Sequence, residues 1–202
     1  MQNEVKEPAP KYNYISPETY LASERAAPYR SEYYDGHVVA MAGAGLTHHK
    51  IAMNLYREVG YFLKGKHCSM LPSDMQVSTP LHDAYMYPDA VIVCGEPQME
   101  DKTFDTLTNP AVIFEILSPS TGGIDKGRKF FFYRDIPSLQ EYIMIDTLRK
   151  LVIVSRRQPD QSWLFENIEE GALAIQTIGF TLTLQEIYDG TDVRSFCRCT
   201  YS

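Results

Sequence analysis

Clustered basic charge is what this chain most lacks. Its 19 lysines and arginines are outnumbered by 26 acids, for a formal charge of −7 over 202 residues. That balance favours solubility and excludes a wide electrostatic footprint on a polyanion, so any such contact has to be local. The local basic spots are Lys126, Arg128 and Lys129, Arg149-Lys150, and Arg156-Arg157. Paired cysteine clusters are missing too. Cys68, Cys94, Cys197 and Cys199 are scattered, with no two CxxC units to hold a tetrahedral zinc. Cys94 closes an apolar run and is expected to pack there as a free thiol, and Cys197-Arg198-Cys199 is expected to be inert or exposed in a tail. No run approaches the roughly 20 apolar residues that a membrane span needs. Residues 1–13 are polar with two prolines, so no secretory signal is expected and a reducing cytoplasm is the default compartment. Ser118 and Ser120 stand in no G-x-S-x-G elbow, and His48-His49 in no H-E-x-x-H. Serine-hydrolase and zinc-peptidase chemistry are therefore set aside.

A chain of this length fits one domain that buries roughly 70% of its unfolded surface, and the expected division is a lead-in over 1–13, one domain over 14–190 and a tail over 191–202. Ser16-Pro17-Glu18 reads as an N-cap with proline at the first helical position, predicting a helix to about Arg25. Residues 31–34 and 37–42 flank Asp35-Gly36, which predicts a hairpin. Thr47 is expected to cap a helix over 48–64, where Ile51, Leu55, Val59, Phe62 and Leu63 recur at helical spacing. Strands are predicted at 68–71, 74–78, 90–94 and 111–117, a helix at 124–134, strands at 141–145 and 151–155, weaker ones at 163–168 and 173–178, and a short capped helix after Thr183. This order suggests an α/β (α+β) class, a mixed β-sheet flanked by helices.

Two acids stand where acids are costly. Glu115 lies inside Ala111-Val112-Ile113-Phe114-Glu115-Ile116-Leu117, a continuous apolar run of the kind covered on both faces. An unpaired carboxylate there would cost several kcal/mol, so Glu115 needs a partner. Asp89 follows Pro88 and precedes Ala90-Val91-Ile92-Val93-Cys94, which places it at the mouth of a strand. Either acid alone also fits a strand-end charge or a satisfied ion pair. With the lysines that follow, the pair has the composition of a metal-dependent phosphodiesterase site. Asp125, Lys129 and Tyr133 recur at i, i+4 and i+8, so they share one helix face that can lean over a sheet edge.

Tyr87-Pro88-Asp89 with Val91-Ile92-Val93, Phe114-Glu115-Ile116-Leu117-Ser118-Pro119-Ser120-Thr121, Asp125-x-x-x-Lys129-x-x-x-Tyr133 and Ile136-Pro137-Ser138-Leu139-Gln140-Glu141-Tyr142 together resemble the Uma-type family of putative restriction endonucleases. The likeness extends through Glu32-Tyr33-Tyr34-Asp35-Gly36 and His48-x-x-Ile51-x-x-Asn54-Leu55. It implies a restriction-endonuclease-like, PD-(D/E)XK core, a DNA substrate and a homodimer. It further implies Mg²⁺ or Mn²⁺ on Asp89, Glu115 and the main-chain carbonyl of Ile116, with Lys129 and Glu32 completing the catalytic set. His48, Asp74, Asp125 and Tyr133 are candidates for the same cleft. The nuclease pattern wants a lysine two residues after the second acid, and this chain has Leu117 there; the resemblance moves that role to Lys129. Two other readings compete: a nuclease fold that binds without turnover, and a glycoside hydrolase using Asp89 and Glu115 as its acid and base.

Overall fold

The computed structural model describes residues 14–41, 43–103, 105–118 and 125–194. Helix α1 (Pro17–Ala26) starts as the residues dictate, with the Ser16 hydroxyl accepting the Thr19 N–H and proline in the first turn. Strands β1 (Ser31–Tyr34) and β2 (His37–Ala40) pair antiparallel. Between them Asp35 and Gly36 both take positive φ, 45° and 85°, the turn that matches the right-handed twist of the strands. Helix α2 (Leu46–Leu63) buries Ile51, Ala52, Leu55, Val59 and Leu63 along one stripe. Its cap departs from expectation: the helix begins before Thr47, and Gly45 holds the capping position with no side-chain hydrogen bond. Glycine is among the residues an N-cap accepts.

Then come β3 (Cys68–Pro72), β4 (Gln76–Ser78), β5 (Ala84–Met86), β6 (Ala90–Cys94), β7 (Thr106–Leu107) and β8 (Val112–Leu117), followed by α3 (Asp125–Tyr133), β9 (Glu141–Asp146), β10 (Val152–Arg157), β11 (Trp163–Ile168), β12 (Ala172–Ile175), β13 (Phe180–Thr183) and α4 (Leu184–Ile187). Three sheets result, ordered β11-β10-β9-β8-β6-β3, β2-β1-β5-β4-β7 and β12-β13. In the six-stranded sheet β8 and β9 run parallel, while β6 is antiparallel to both β3 and β8. A parallel neighbour needs a crossover, and α3 lies in it. The expected mixed α+β architecture is the one observed. The strand expected over 173–178 ends at Ile175, because residues 176–178 form a 3-10 turn closed by Gly179 in the left-handed region.

Alternation along β8 decides what each face meets. Val112, Phe114 and Ile116 join Ile51, Leu55 and Val59 of α2 and Leu184 and Ile187 of α4 in one core. Ile113 and Leu117 face the other way, into a second core with Val77, Met86 and Leu107 of the five-stranded sheet and Tyr133 of α3. Glu115 shares that second face by the period-2 rule, which is why groups on α3 can reach it. All six residues of β8 are buried, each large apolar one contributing about 1.5–3 kcal/mol. A third cluster, Tyr20, Tyr33 and Tyr85, packs α1 on the far side of β1 and β5.

The free thiol expected at Cys94 is corrected by the structure. Cys68 on β3 lies directly opposite Cys94 on β6, and their sulfurs form a disulfide across a separation of 26 residues. The strand register creates this pairing, bringing the two Cα atoms within 3.9 Å. Cys197 and Cys199 lie outside the described residues.

Candidate active site

Asp89 sits just ahead of β6 and is held from two sides. Its Oδ2 accepts the main-chain N–H of Ile116 on β8 at 2.6 Å, and its Oδ1 meets His48 Nε2 on α2 at 2.9 Å. Two turns further along α2, the Tyr56 hydroxyl donates to the Asp89 carbonyl at 2.5 Å. Carboxylate and backbone are therefore fixed by different elements.

Glu115 finds its partner on α3. Lys129 Nζ donates to both Glu115 carboxylate oxygens at 3.2 Å, and the Tyr133 hydroxyl donates to Oε1 at 3.4 Å. The i, i+4 spacing of Lys129 and Tyr133 places both on the helix face over the sheet. The same ammonium lies 2.8 Å from Glu32 Oε1. Glu32, on β1, is itself held by the Tyr34 hydroxyl at 2.6 Å and the Tyr87 N–H at 3.1 Å. One lysine thus bridges carboxylates from two sheets, and Leu117 leaves apolar the position where an in-strand lysine would have faced the same way.

Three carboxylates share one ammonium at this buried spot, and burial acts first on the proton affinities, the neighbouring charges second. Burial, then the charges of Asp89 and Glu32, push Glu115 up to about 8 against the pull of Lys129. Burial disfavours charge on Lys129, but Glu115 and Glu32 outweigh it and raise its pKa, holding the ammonium protonated. Lys129 is closer to Glu32 than to Glu115, which leaves Glu115 the less compensated acid. Tyr133, fully buried behind Glu115, is raised well above its ordinary value by burial and by the two carboxylates.

These groups border a cavity of about 290 Å³ whose lining includes Glu32, His48, Asp89, Glu115, Ile116 and Lys129. Of the other candidates from the sequence, Tyr133 touches Glu115 from the protein side, whereas Asp74 is exposed on the turn between β3 and β4 and takes no part in the lining. The side chain of Asp125 lies outside the described residues. Tyr34, Tyr56 and the Tyr87 N–H also join the site, beyond the candidates the sequence offers. For Tyr34 a signal existed: it stands two residues from Glu32 on one strand, hence on one face.

Among the described residues no three His, Cys, Asp or Glu side chains are grouped to chelate a metal. The donor set nevertheless fits a hard cation. Asp89 and Glu115 offer only oxygen, Ile116 follows Glu115, donates its N–H to Asp89 and lines the cavity, and the buried carboxyl of Glu115, raised first by burial and then by Asp89 and Glu32, is a group whose charged form a cation would favour. Mg²⁺ keeps several waters and needs only one or two carboxylates.

A family model described as "Uma2: Putative restriction endonuclease" matches residues 17–185. Two uncharacterized proteins of Synechocystis sp. are similar: sll1609, 35% identical over 149 residues, covering 74% of this chain and 84% of its own, and slr1290, 30% identical over 184 residues, covering 91% and 96%. In fold, the chain matches the crystal structure of a "putative nuclease belonging to DUF820" from Anabaena variabilis, with a TM-score of 0.70 at 16% identity over 86% of this chain and 97% of that one.

Proposed function

The chain belongs to the Uma2 family of putative restriction endonucleases, and from that premise we propose that it is a metal-dependent endonuclease hydrolysing phosphodiester bonds of DNA. The observation that carries this reading is Lys129 bridging Glu32 and Glu115 at 2.8 and 3.2 Å, in a cavity that Asp89 also lines. In this reading Asp89, Glu115 and the carbonyl of Ile116 hold Mg²⁺ or Mn²⁺. When bound, the ion supplies the acidity that turns water into a nucleophile at neutral pH and offsets charge on the phosphate.

The chain's own residues do the rest. Lys129 is held protonated, so it acts as a charged donor that orients water or a phosphate oxygen and not as a base. Glu32 fixes that ammonium, and the Tyr34 hydroxyl and Tyr87 N–H fix Glu32. The Ile116 N–H and His48 set the direction of Asp89, leaving its carboxylate little rotational freedom. A binding protein without turnover is the second reading, favoured by the same ion pair: Lys129 already meets part of the charge on Glu115.

The test is cleavage of single-stranded, double-stranded and branched DNA in Mn²⁺, beside Glu115→Ala. Calorimetry with Mn²⁺ on the wild type and on Asp89→Ala/Glu115→Ala accompanies it. Mn²⁺-dependent cutting lost in Glu115→Ala supports the proposal. Equal Mn²⁺ binding by wild type and double variant refutes the metal assignment, and selective Mn²⁺ binding without cutting leaves the second reading.

A further inference from the structure

Two apolar residues of the cavity wall, Val39 and Met41, play no part in this chemistry. Side chains alternate along the β1–β2 hairpin, so Glu32 and Tyr34 share a face with Val39, which pairs with Glu32, and with Met41 two residues on. Tyr33 turns the other way, into the tyrosine cluster. Val39 and Met41 line the cavity yet remain 44% and 41% exposed, because β2 is the outer strand of its sheet. They form an apolar ledge beside a group of acids.

Arg128, which also lines the cavity and is exposed, stands next to Lys129. Its guanidinium carbon lies 4.4 Å from the centre of the Tyr34 ring, and the Tyr34 hydroxyl in turn binds Glu32. Arg25, Arg57, Arg149 and Arg156 each have a carboxylate partner; among the described residues Arg128 has none. A guanidinium propped on an aromatic face, with its N–H groups unclaimed by acids, is suited to clasping a phosphate.

The dimensions limit what can enter. At about 290 Å³ the cavity is at the small end of ligand sites. Arg128 and Lys129 are the basic residues of its lining, and Lys129 is engaged by Glu32 and Glu115. A duplex footprint needs a stripe of free lysines and arginines, whereas a single strand needs a phosphate contact and a surface for a base. We infer that the cleft takes one unstacked nucleotide of a single DNA strand, with its phosphate on Arg128 and its base on Val39 and Met41. This rests on the nuclease reading and names its substrate class.

The test is fluorescence anisotropy of a labelled mixed-sequence oligodeoxynucleotide, alone or annealed to its complement, titrated with the full chain in chelator across a salt series. The single strand is expected to bind at least about tenfold tighter than the duplex. Arg128→Ala should weaken binding about tenfold and flatten the salt dependence by roughly one phosphate contact, with Arg128→Lys falling between. Val39→Ser/Met41→Ser, both substitutions at exposed positions, should weaken binding about tenfold with the salt slope unchanged, the mark of a lost apolar contact with the base. Equal affinity for both forms, or an unaltered salt slope in Arg128→Ala, overturns the inference. Parallel cleavage in Mn²⁺ separates the two levels. Strand-selective, Arg128-dependent binding without cutting sinks the endonuclease reading and keeps the binding mode, whereas cutting of both forms with equal affinity does the reverse.

Discussion

Replacing Lys129 with methionine keeps most of the side chain's length and removes the ammonium that lies between Glu32 and Glu115. The ammonium side chain is 14% exposed, and those of the two acids are 10% and 9% exposed, so water can take over little of its role. At an effective dielectric of about 20, the Lys129–Glu32 charges 2.8 Å apart attract by roughly 6 kcal/mol. Stripping one partner from a buried pair typically costs about 3–5 kcal/mol. For a domain of this size that lowers the melting temperature by roughly 6 to 20 °C. The loss should depend on pH. Near pH 8 the stranded carboxylates either stay charged without a counterion or bind protons at a cost, while near pH 5 Glu115, already displaced upward to about 8, is protonated and the deficit shrinks. Calorimetry or urea unfolding of Lys129→Met and wild type in chelator at both pH values measures this directly. A variant melting within about 2 °C of wild type near pH 8, or with the same deficit at both pH values, would refute the assignment of Lys129 as the counterion of this cluster.

Two further outcomes are expected. Glu32→Gln keeps volume and one acceptor oxygen for the Tyr87 N–H, with its amide N–H₂ left to donate to the Tyr34 hydroxyl oxygen, so it should fold normally yet lose most turnover through a misplaced Lys129; an unchanged kcat in a cleavage assay would remove Glu32 from the machinery. In metal-free protein, the raised pKa of Glu115 means that the fold binds a proton the unfolded chain releases. The associated stability is full below about 4.5 and disappears as pH climbs to about 8. Urea midpoints should accordingly fall for wild type relative to Glu115→Gln over that window, and parallel pH profiles for the two proteins would defeat the claim.

Where signals were local and strong, the sequence was readable. Asp35-Gly36 determined the hairpin, the apolar run around Glu115 marked a doubly covered strand, and Pro88 placed Asp89 at a strand mouth. The i, i+4 relation of Lys129 and Tyr133 placed both against Glu115. Elements that owe their existence to distant partners were not visible. The strands β5 and β7, three and two residues long, have too little pattern of their own and persist because the five-stranded sheet closes over them. The Cys68–Cys94 bond depends on a register between β3 and β6 that no motif spacing records. Asp74, expected inside a strand over 74–78, lies on the exposed turn ahead of β4 and outside the cavity lining. Arg128 was legible only as a basic spot, because its pairing with the Tyr34 ring crosses from helix to hairpin.

The bond from the Ile116 N–H to Asp89 bears on how such a chain can change length over its descent. Asp89, just ahead of β6, and Glu115 in β8 are set by neighbouring antiparallel strands in which Ala90 faces Phe114. A single residue gained or lost within β8 ahead of Glu115 would turn that side chain to the α2 side of the sheet, and one gained or lost within β6 would shift Asp89 away from the amide it binds. Between the two strands, in contrast, residues 96–98 and 101–103 are exposed, and growth there would leave that register untouched. Viable insertions and deletions should therefore collect there and stop short of both strands, so that gap positions in an alignment of relatives outline the site without reference to any conserved residue.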